Sequence, residues 1–258
     1  MATTFLSQKV ILIGAGNVAT QLGIALHKAG HTIIQVYSRS NKSAVALSKK
    51  INAKAITDIS KLDRNAAIYI ISIKDDAIAE LSKALKLEDQ LIVHTTGSVE
   101  MEILKHTSKN YGVFYPLQTL SKNKAADFSS IPLCIEANNK PALNKLKRFA
   151  KSISSNVQEI DSSQRKILHI GAVFACNFSN HLYAISASLL SKHGLSFDLL
   201  KPLIQETAEK IKHHDPKLMQ TGPAIRKDKK TMESHLKMLS DEKDLKIIYK
   251  LLSDHIQK

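Results

Sequence analysis

Val10-Ile11-Leu12-Ile13-Gly14-Ala15-Gly16-Asn17-Val18-Ala19 is the stretch that decides the fold. Four apolar, strand-forming residues run straight into a Gly-x-Gly-x-x-Ala turn. In a βαβ unit the first glycine permits the tight turn and the second lets the backbone approach a pyrophosphate. The small third residue lets the helix pack on the strand. Apolar positions at Val18, Leu22, Ala25 and Leu26 mark the helix, which ends at Ala29-Gly30, and Thr32–Tyr37 follows as a β-branched second strand. Phosphates belong at the helix start, where free N–H groups and the dipole favour negative charge. A site for NAD usually carries an acidic residue at the end of the second strand, on the ribose 2′-OH. Here that position reads Ser38-Arg39-Ser40, and no Asp or Glu occurs before Asp58. An arginine between two hydroxyls suits a 2′-phosphate. The segment therefore reads as an NADP(H) site with Gly14, Gly16, Asn17, Val18, Ser38, Arg39 and Ser40 as cofactor contacts.

Outward from this turn, strands and helices alternate as far as residue 160. Strands are expected at 10–13, 33–37, 54–56, 67–72, 91–94, 111–115, 132–136 and 157–159. Helices are expected at 40–51, 76–85, 100–106 and 141–152. Alternation of this kind implies a mostly parallel, doubly wound sheet covered on both faces. From Asp161 onward strand signals almost vanish. One long helix is expected from Ser162 to about Lys192, before Gly194. A second runs from near Ser196 to about Met219, and one or two more run from Thr231 to the end. The fold class is thus α/β: a Rossmann-type domain over 1–160 followed by an all-helical domain over 161–258.

The 258 residues carry a formal charge of +14, which raises the question of nucleic acid. The excess is lysine, scattered through helices; the arginines are Arg39, Arg64, Arg148, Arg165 and Arg226. No basic arm, zinc knuckle or aromatic RNA-binding motif accompanies them, so the reading is a solvated surface that favours small anionic ligands. No membrane-length apolar run is present, and Met1–Gln8 lacks the pattern of a signal peptide. Cys134 and Cys176 sit in apolar contexts and read as small buried hydrophobes in a reducing, cytoplasmic compartment. His213-His214-Asp215 lacks the spacing of a metal site, and no metal is expected.

In an open α/β sheet, ligands bind beyond the carboxyl ends of the strands. The fourth strand ends at Ser72-Ile73, the fifth at His94-Thr95-Thr96-Gly97-Ser98, and the sixth at Tyr115-Pro116-Leu117-Gln118-Thr119. Ser72, Ile73 and Thr95 are assigned to the nicotinamide end of the cofactor. Asp76 and Ser98 read as helix caps. His94 reads either as a cofactor neighbour or as a hydrogen-bonded structural histidine. The long helix carries His169, Asn177, Asn180 and His181. At 100° per residue His169, Val173, Cys176 and Asn180 share a stripe, with Asn177 and His181 beside it. This polar set lines a substrate cleft or pins the helix to a partner subunit. Arg226, beside Gly222-Pro223, reads as a carboxylate clamp or a surface arginine.

Taken together these segments resemble a known family. Gly14–Ala19, His94–Ser98, Tyr115–Thr119, Asn177-Phe178-Ser179-Asn180-His181-Leu182 and Gln220-Thr221-Gly222-Pro223-Ala224-Ile225-Arg226 carry the resemblance. It is to bacterial Rossmann-like NADP-binding oxidoreductases with a C-terminal helical domain of undefined function. These are distantly similar to pyrroline-5-carboxylate reductase, the 3-hydroxyisobutyrate dehydrogenases and non-standard ketopantoate reductases. Their second domain is like the C-terminal domain of 6-phosphogluconate dehydrogenase. The resemblance implies an NADP-dependent oxidoreductase acting on C=O or C=N, and a homodimer formed through the helical domain.

The substrate expected is a small carboxylate-bearing ketone or imine, of the 2-ketopantoate or pyrroline-5-carboxylate type. Asn177 and Asn180 would orient the reacting group, His169 or His181 would supply the proton, and Arg226 would hold the carboxylate. One departure stands out. The hydroxyacid dehydrogenases carry a lysine one turn before an asparagine, whereas here Val173 precedes Asn177 and Cys176 precedes Asn180. A non-catalytic NADP(H)-binding sensor or assembly module is the alternative that this departure supports.

Overall fold

The computed structural model describes residues 6–258. Met1–Phe5, part of the stretch read above for a signal peptide, lie outside the described residues. The first strand, β1 (Lys9–Ile13), leads through α1 (Asn17–Lys28), β2 (Thr32–Tyr37) and α2 (Asn41–Ile51) to β3 (Lys54–Ile56). The chain then returns to β4 (Ile68–Ile71), α3 (Ile78–Ala84), β5 (Leu91–His94) and β6 (Asn110–Pro116), and closes with β7 (Leu133–Ala137), α4 (Lys140–Lys151) and β8 (Val157–Glu159). The sheet order is β3-β2-β1-β4-β5-β6-β7-β8. All pairs are parallel except β6–β7. The order reverses between β1 and β4, and that reversal opens a crevice at the carboxyl edge.

Strand residues alternate between two apolar cores. Val10 and Leu12 face one side with Ile68, Ile70, Leu91 and Val93, against Leu22 and Leu26 of α1 and Leu146 and Phe149 of α4. Ile11 and Ile13 face the other with Tyr69, Ile71 and Ile92, against Ile78 and Leu81 of α3. A period of two sends neighbours to opposite faces, so a sheet covered on both sides needs strands that are apolar throughout. Local caps set the helix starts. Ser40 Oγ accepts from the Ser43 N–H (3.3 Å) at α2, and Asn139 Oδ1 from the Ala142 N–H (2.9 Å) at α4.

Beyond the sheet, α5 (Ser162–Ala172) begins with a reciprocal capping box between Asp161 and Gln164. It passes through a π-helical stretch, Val173–Phe178, into α6 (Ser179–Lys192). A π turn holds more residues than an α turn. The stripe expected from uniform α-helical phase therefore slips within this stretch, and Asn177 and Asn180 are exposed. Next come α7 (Lys201–Lys210), α8 (Lys229–Met238) and α9 (Lys243–Ile256). The helix expected to reach Met219 stops at Lys210 and gives way to turns, and Pro216, which drives Asp215 out of helical conformation, keeps it from resuming toward Met219. Cys134 is buried, but Cys176, expected inside, is exposed.

The chain divides into two compact units, one running to Asn180 and the other spanning His181–Lys258. In the second, His235 Nδ1 and the Tyr249 hydroxyl, 2.9 Å apart, tie α8 to α9. Only Ala224 and Ser253 are buried there. Among the described residues no helix is long and apolar enough to cross a membrane.

Candidate functional site

The carboxyl ends of β1, β4 and β5 frame a cleft of about 740 Å³. Its floor is the β1–α1 turn. Gly14 has φ +129°, and a Cβ there would lie 2.1 Å from the Ser72 carbonyl oxygen. Only glycine fits this crossing of two backbones. Helix α1 then starts with no side-chain cap and no acidic residue in its first turn. Its leading N–H groups are therefore left for an external anion.

At the end of β2, the Ser38 N–H donates to the Ile56 carbonyl (3.1 Å), and Ser38 Oγ accepts from the Ser40 N–H (3.2 Å). The resulting turn presents Ser38, Arg39 and Ser40 to the cleft. At the other end Ser72 Oγ and Thr95 Oγ1 are hydrogen-bonded at 3.0 Å, both buried. Gly14, Gly16, Asn17, Val18, Ser38, Arg39, Ser40, Ser72, Ile73 and Thr95 thus line one continuous cleft.

The loop after β5 is ordered by Asp75. Its Oδ2 accepts from Thr96 Oγ1 (2.9 Å) and from Ser98 Oγ. Ser98 is therefore not a helix cap, and Asp76 lies within the 3-10 turn Asp75–Ala77, whose first position follows Lys74. Asp75, one residue away, is the side chain with the structural task. His94 is fully buried and stands outside the cleft lining, its Nδ1 accepting from the Thr96 N–H (3.3 Å). Burial, with the Arg165 guanidinium nearby, lowers its pKa to about 4, so the ring is neutral. It is a structural histidine.

Arg165 on α5 is 0% exposed. It pairs with Glu136 of β7 (2.5 Å) and donates to the Val99 carbonyl (2.6 Å) and to Ser162 Oγ (2.9 Å). Ser162 in turn donates from Oγ to Glu136 Oε2 (2.8 Å). This network fastens the first turn of α5 to the sheet and to the β5 loop. One turn later, on the same helix face, His169 reaches the end of β6. His169 Nδ1 and the Tyr115 hydroxyl are 3.2 Å apart. The histidine ring also packs on Gly97, where a Cβ would lie 2.7 Å from Nδ1. Burial pushes the Tyr115 phenol above its ordinary range, so it remains protonated near neutrality.

The structure thus brings His169 together with Tyr115 and with Gly97, the residue that follows Thr95 and Thr96 of the cleft lining. Asn177 lies in the π-helical stretch and Asn180 ends the first unit; both are exposed. His181 and Arg226 belong to the second unit and are exposed as well. Tyr115, Asp75 and the buried Arg165 were not among the sequence-derived site residues. For Tyr115 a signal existed: an aromatic hydroxyl at the polar end of an apolar strand. For Arg165 the signal was weak, since nothing local marks an arginine as buried.

The family described as Rossmann-like domain matches residues 5–118, and the Domain of unknown function (DUF2520) matches 131–256. No curated protein matches the chain. A crystal structure of a Bacteroides fragilis protein, provisionally named an NADP oxidoreductase, is 45% identical with a TM-score of 0.93. The match covers 97% of this chain and 98% of that one. The fold is also that of a Streptococcus pyogenes pyrroline-5-carboxylate reductase (13% identity, TM-score 0.66, 97% and 98% covered). An Aspergillus terreus reductive aminase in complex with NADPH shares it too (14%, 0.68, 97% and 93%). This chain belongs to the family that joins a Rossmann-like domain to a DUF2520 domain and includes the Bacteroides fragilis protein.

Proposed function

We propose that this protein is an NADPH-dependent reductase of a small carboxylate-bearing ketone or imine, of the 2-ketopantoate or pyrroline-5-carboxylate type. The observation that carries the reading is the cleft itself. It joins an uncapped helix start to a Ser38-Arg39-Ser40 edge without a carboxylate, and its Thr95-Thr96 wall leads in the chain to Gly97, on which the His169 ring packs beside Tyr115. The names of the Bacteroides fragilis and Aspergillus terreus proteins support the same cofactor.

The residues fit the group. The Gly14 turn leaves the space that a side chain would fill. The α1 start takes the pyrophosphate, Arg39 with Ser38 and Ser40 the 2′-phosphate, and Ser72 and Thr95 the nicotinamide end. Bound there, NADPH supplies the hydride. His169 holds the proton that reaches the carbonyl oxygen or imine nitrogen, as the π electrons of the reacting bond move onto that atom. Tyr115 orients the His169 ring, and the half-exposed histidine recovers its proton from solvent. Asn177 and Asn180 are assigned to the reacting group, with His181 beside them, and Arg226 to the substrate carboxylate. The exposed apolar side chains of the helices, Leu203, Ile247 and Leu251 among them, support a homodimer through the helical unit. The two unpaired cysteines accord with a cytoplasmic setting.

NADPH oxidation by the purified protein against 2-ketopantoate, pyrroline-5-carboxylate and small semialdehydes tests this. Turnover with one of them and little with NADH is expected. His169→Ala should then lower kcat by roughly 100-fold or more with NADPH affinity retained. Gly97→Ala, which pushes the His169 ring aside, should lower kcat by roughly 10- to 100-fold. Tight NADPH binding with no turnover on any substrate, and no effect of either substitution, would favour the non-catalytic sensor.

A further inference from the structure

The turn between β6 and β7 is held across the first helix by one buried amide. Gln21 of α1 is 4% exposed. Its Nε2 donates to the carbonyl oxygens of Ser121 (2.6 Å) and Lys124 (2.9 Å), and its Oε1 accepts from the Ala126 N–H (3.2 Å). A bridge between Ser121 and Lys124 closes the turn. The Lys122 N–H donates to Asn17 Oδ1 at 3.3 Å, at the first residue of α1. The amide thus uses both of its N–H donors and its carbonyl to fix a turn about a hundred residues away in sequence.

What this turn presents is Lys122. The lysine lines the cofactor cleft together with Arg39, Ser40 and Ser43. It also borders an adjoining hollow of about 240 Å³ between the starts of α1 and α2, with Ala15, Lys42 and Ser43. Neither helix has an acidic residue in its first turn. This corner of the cleft is therefore cationic, and no carboxylate from either helix start competes for the lysine.

We propose that Lys122 is a second cation for the 2′-phosphate of NADPH, set beside Arg39 by the Gln21-held turn. The assignment rests on the NADPH reading above. A dianionic phosphate exceeds what one guanidinium neutralises. The compact ammonium of lysine can serve it as a point charge while Arg39 supplies the planar fork. Because Gln21 fixes the turn without ligand, the charge is in place before the cofactor arrives, and little ordering cost falls on binding.

Dissociation constants of NADPH and NADH, read from nicotinamide fluorescence, test it for wild type, Lys122→Ala, Lys122→Arg and Arg39→Ala. Lys122 is exposed at a turn tip, so its variants should fold as wild type, which circular dichroism checks. Lys122→Ala should weaken NADPH about 10-fold and leave NADH within about 2-fold, and Lys122→Arg should keep most of the preference. Equal weakening of both cofactors would place the lysine on the pyrophosphate and overturn the proposal. No change in either would overturn it too, leaving the turn purely structural. The underlying reading fails differently: wild type would bind NADH as tightly as NADPH, and Arg39→Ala would not discriminate between them.

Discussion

The sheet and the helices that follow it bury different things. In residues 9–160, strand after strand is apolar and inaccessible, with Val10–Ile13 and Ile68–Ile70 all at 0%. From residue 161 to the end, the buried residues are Ser162, Arg165, Ala224 and Ser253. Large apolar side chains stay outside instead, Ile247 at 66% and Leu251 at 68% among them. The first region carries its own two cores. In the second, large apolar side chains of the helices stay exposed among the described residues, the kind of surface on which an association would be sought. The cleft proposed for the cofactor is therefore built on the region with the two apolar cores, while the exposed apolar side chains of the helices are what the proposed homodimer would cover.

The largest effect that would break this comparison is expected at the one buried charge that ties α5 to the sheet. Arg165→Ala leaves Glu136 without its ion-pair partner and the Val99 carbonyl without the guanidinium donor. A loss of about 3–5 kcal/mol is expected, measured by urea denaturation, with a midpoint independent of protein concentration. A negligible loss would mean that α5 is held by something other than this network.

Acid should act on the sheet region next. His94 titrates at about 4 in the folded protein, against roughly 6.5 for an unperturbed histidine. The unfolded state therefore binds the proton more readily. Stability from His94 is full above about pH 6.5 and is lost as pH falls toward 4, by about 3 kcal/mol. Burial lowers the pKa of His31 as well, in the same direction. Denaturation curves between pH 7 and 4 should show this slope, and His94→Asn should flatten it. An unchanged slope in the variant would reassign the effect to other groups.

The smallest effect concerns the helices. Leu251→Glu should cost a dimer about 2 kcal/mol of association free energy per copy, seen as dissociation on dilution in sedimentation velocity. It should leave NADPH affinity within about 2-fold. A wild-type protein that sediments as a monomer at every concentration would remove the contrast drawn between the two regions.

The central strands were legible in the sequence because each is a short apolar run ending in polar or turn residues, and the more polar edge strands, Lys54–Ile56 and Val157–Glu159, because they alternate with helical stretches. Leu91–His94 and Lys54–Ile56 are placed to the residue. That the glycine turn and Ser38-Arg39-Ser40 share one cleft follows equally from neighbouring segments, since each is local in the chain. Helix phase and length were not. The π-helical stretch shifted Asn177 and Asn180, and α7 stopped short before Pro216. Least legible were groups that meet across long separations. Tyr115 finds His169 after 54 residues, and Gln21 finds the Lys122 turn after about a hundred.

By itself, then, the sequence determined the mostly parallel sheet, the carboxyl edge of its strands as the side to search for a ligand, and the absence of a carboxylate at the end of β2. All of these depend on residue type and spacing within a few dozen positions. Only the tertiary structure decided that His94 is buried and silent, that Asp75 rather than Asp76 orders the loop, and that Arg165 is the pin of α5. It also decided that Lys122 stands at the cofactor cleft. A side chain's burial and partners are set by packing between distant segments, and no local pattern encodes that.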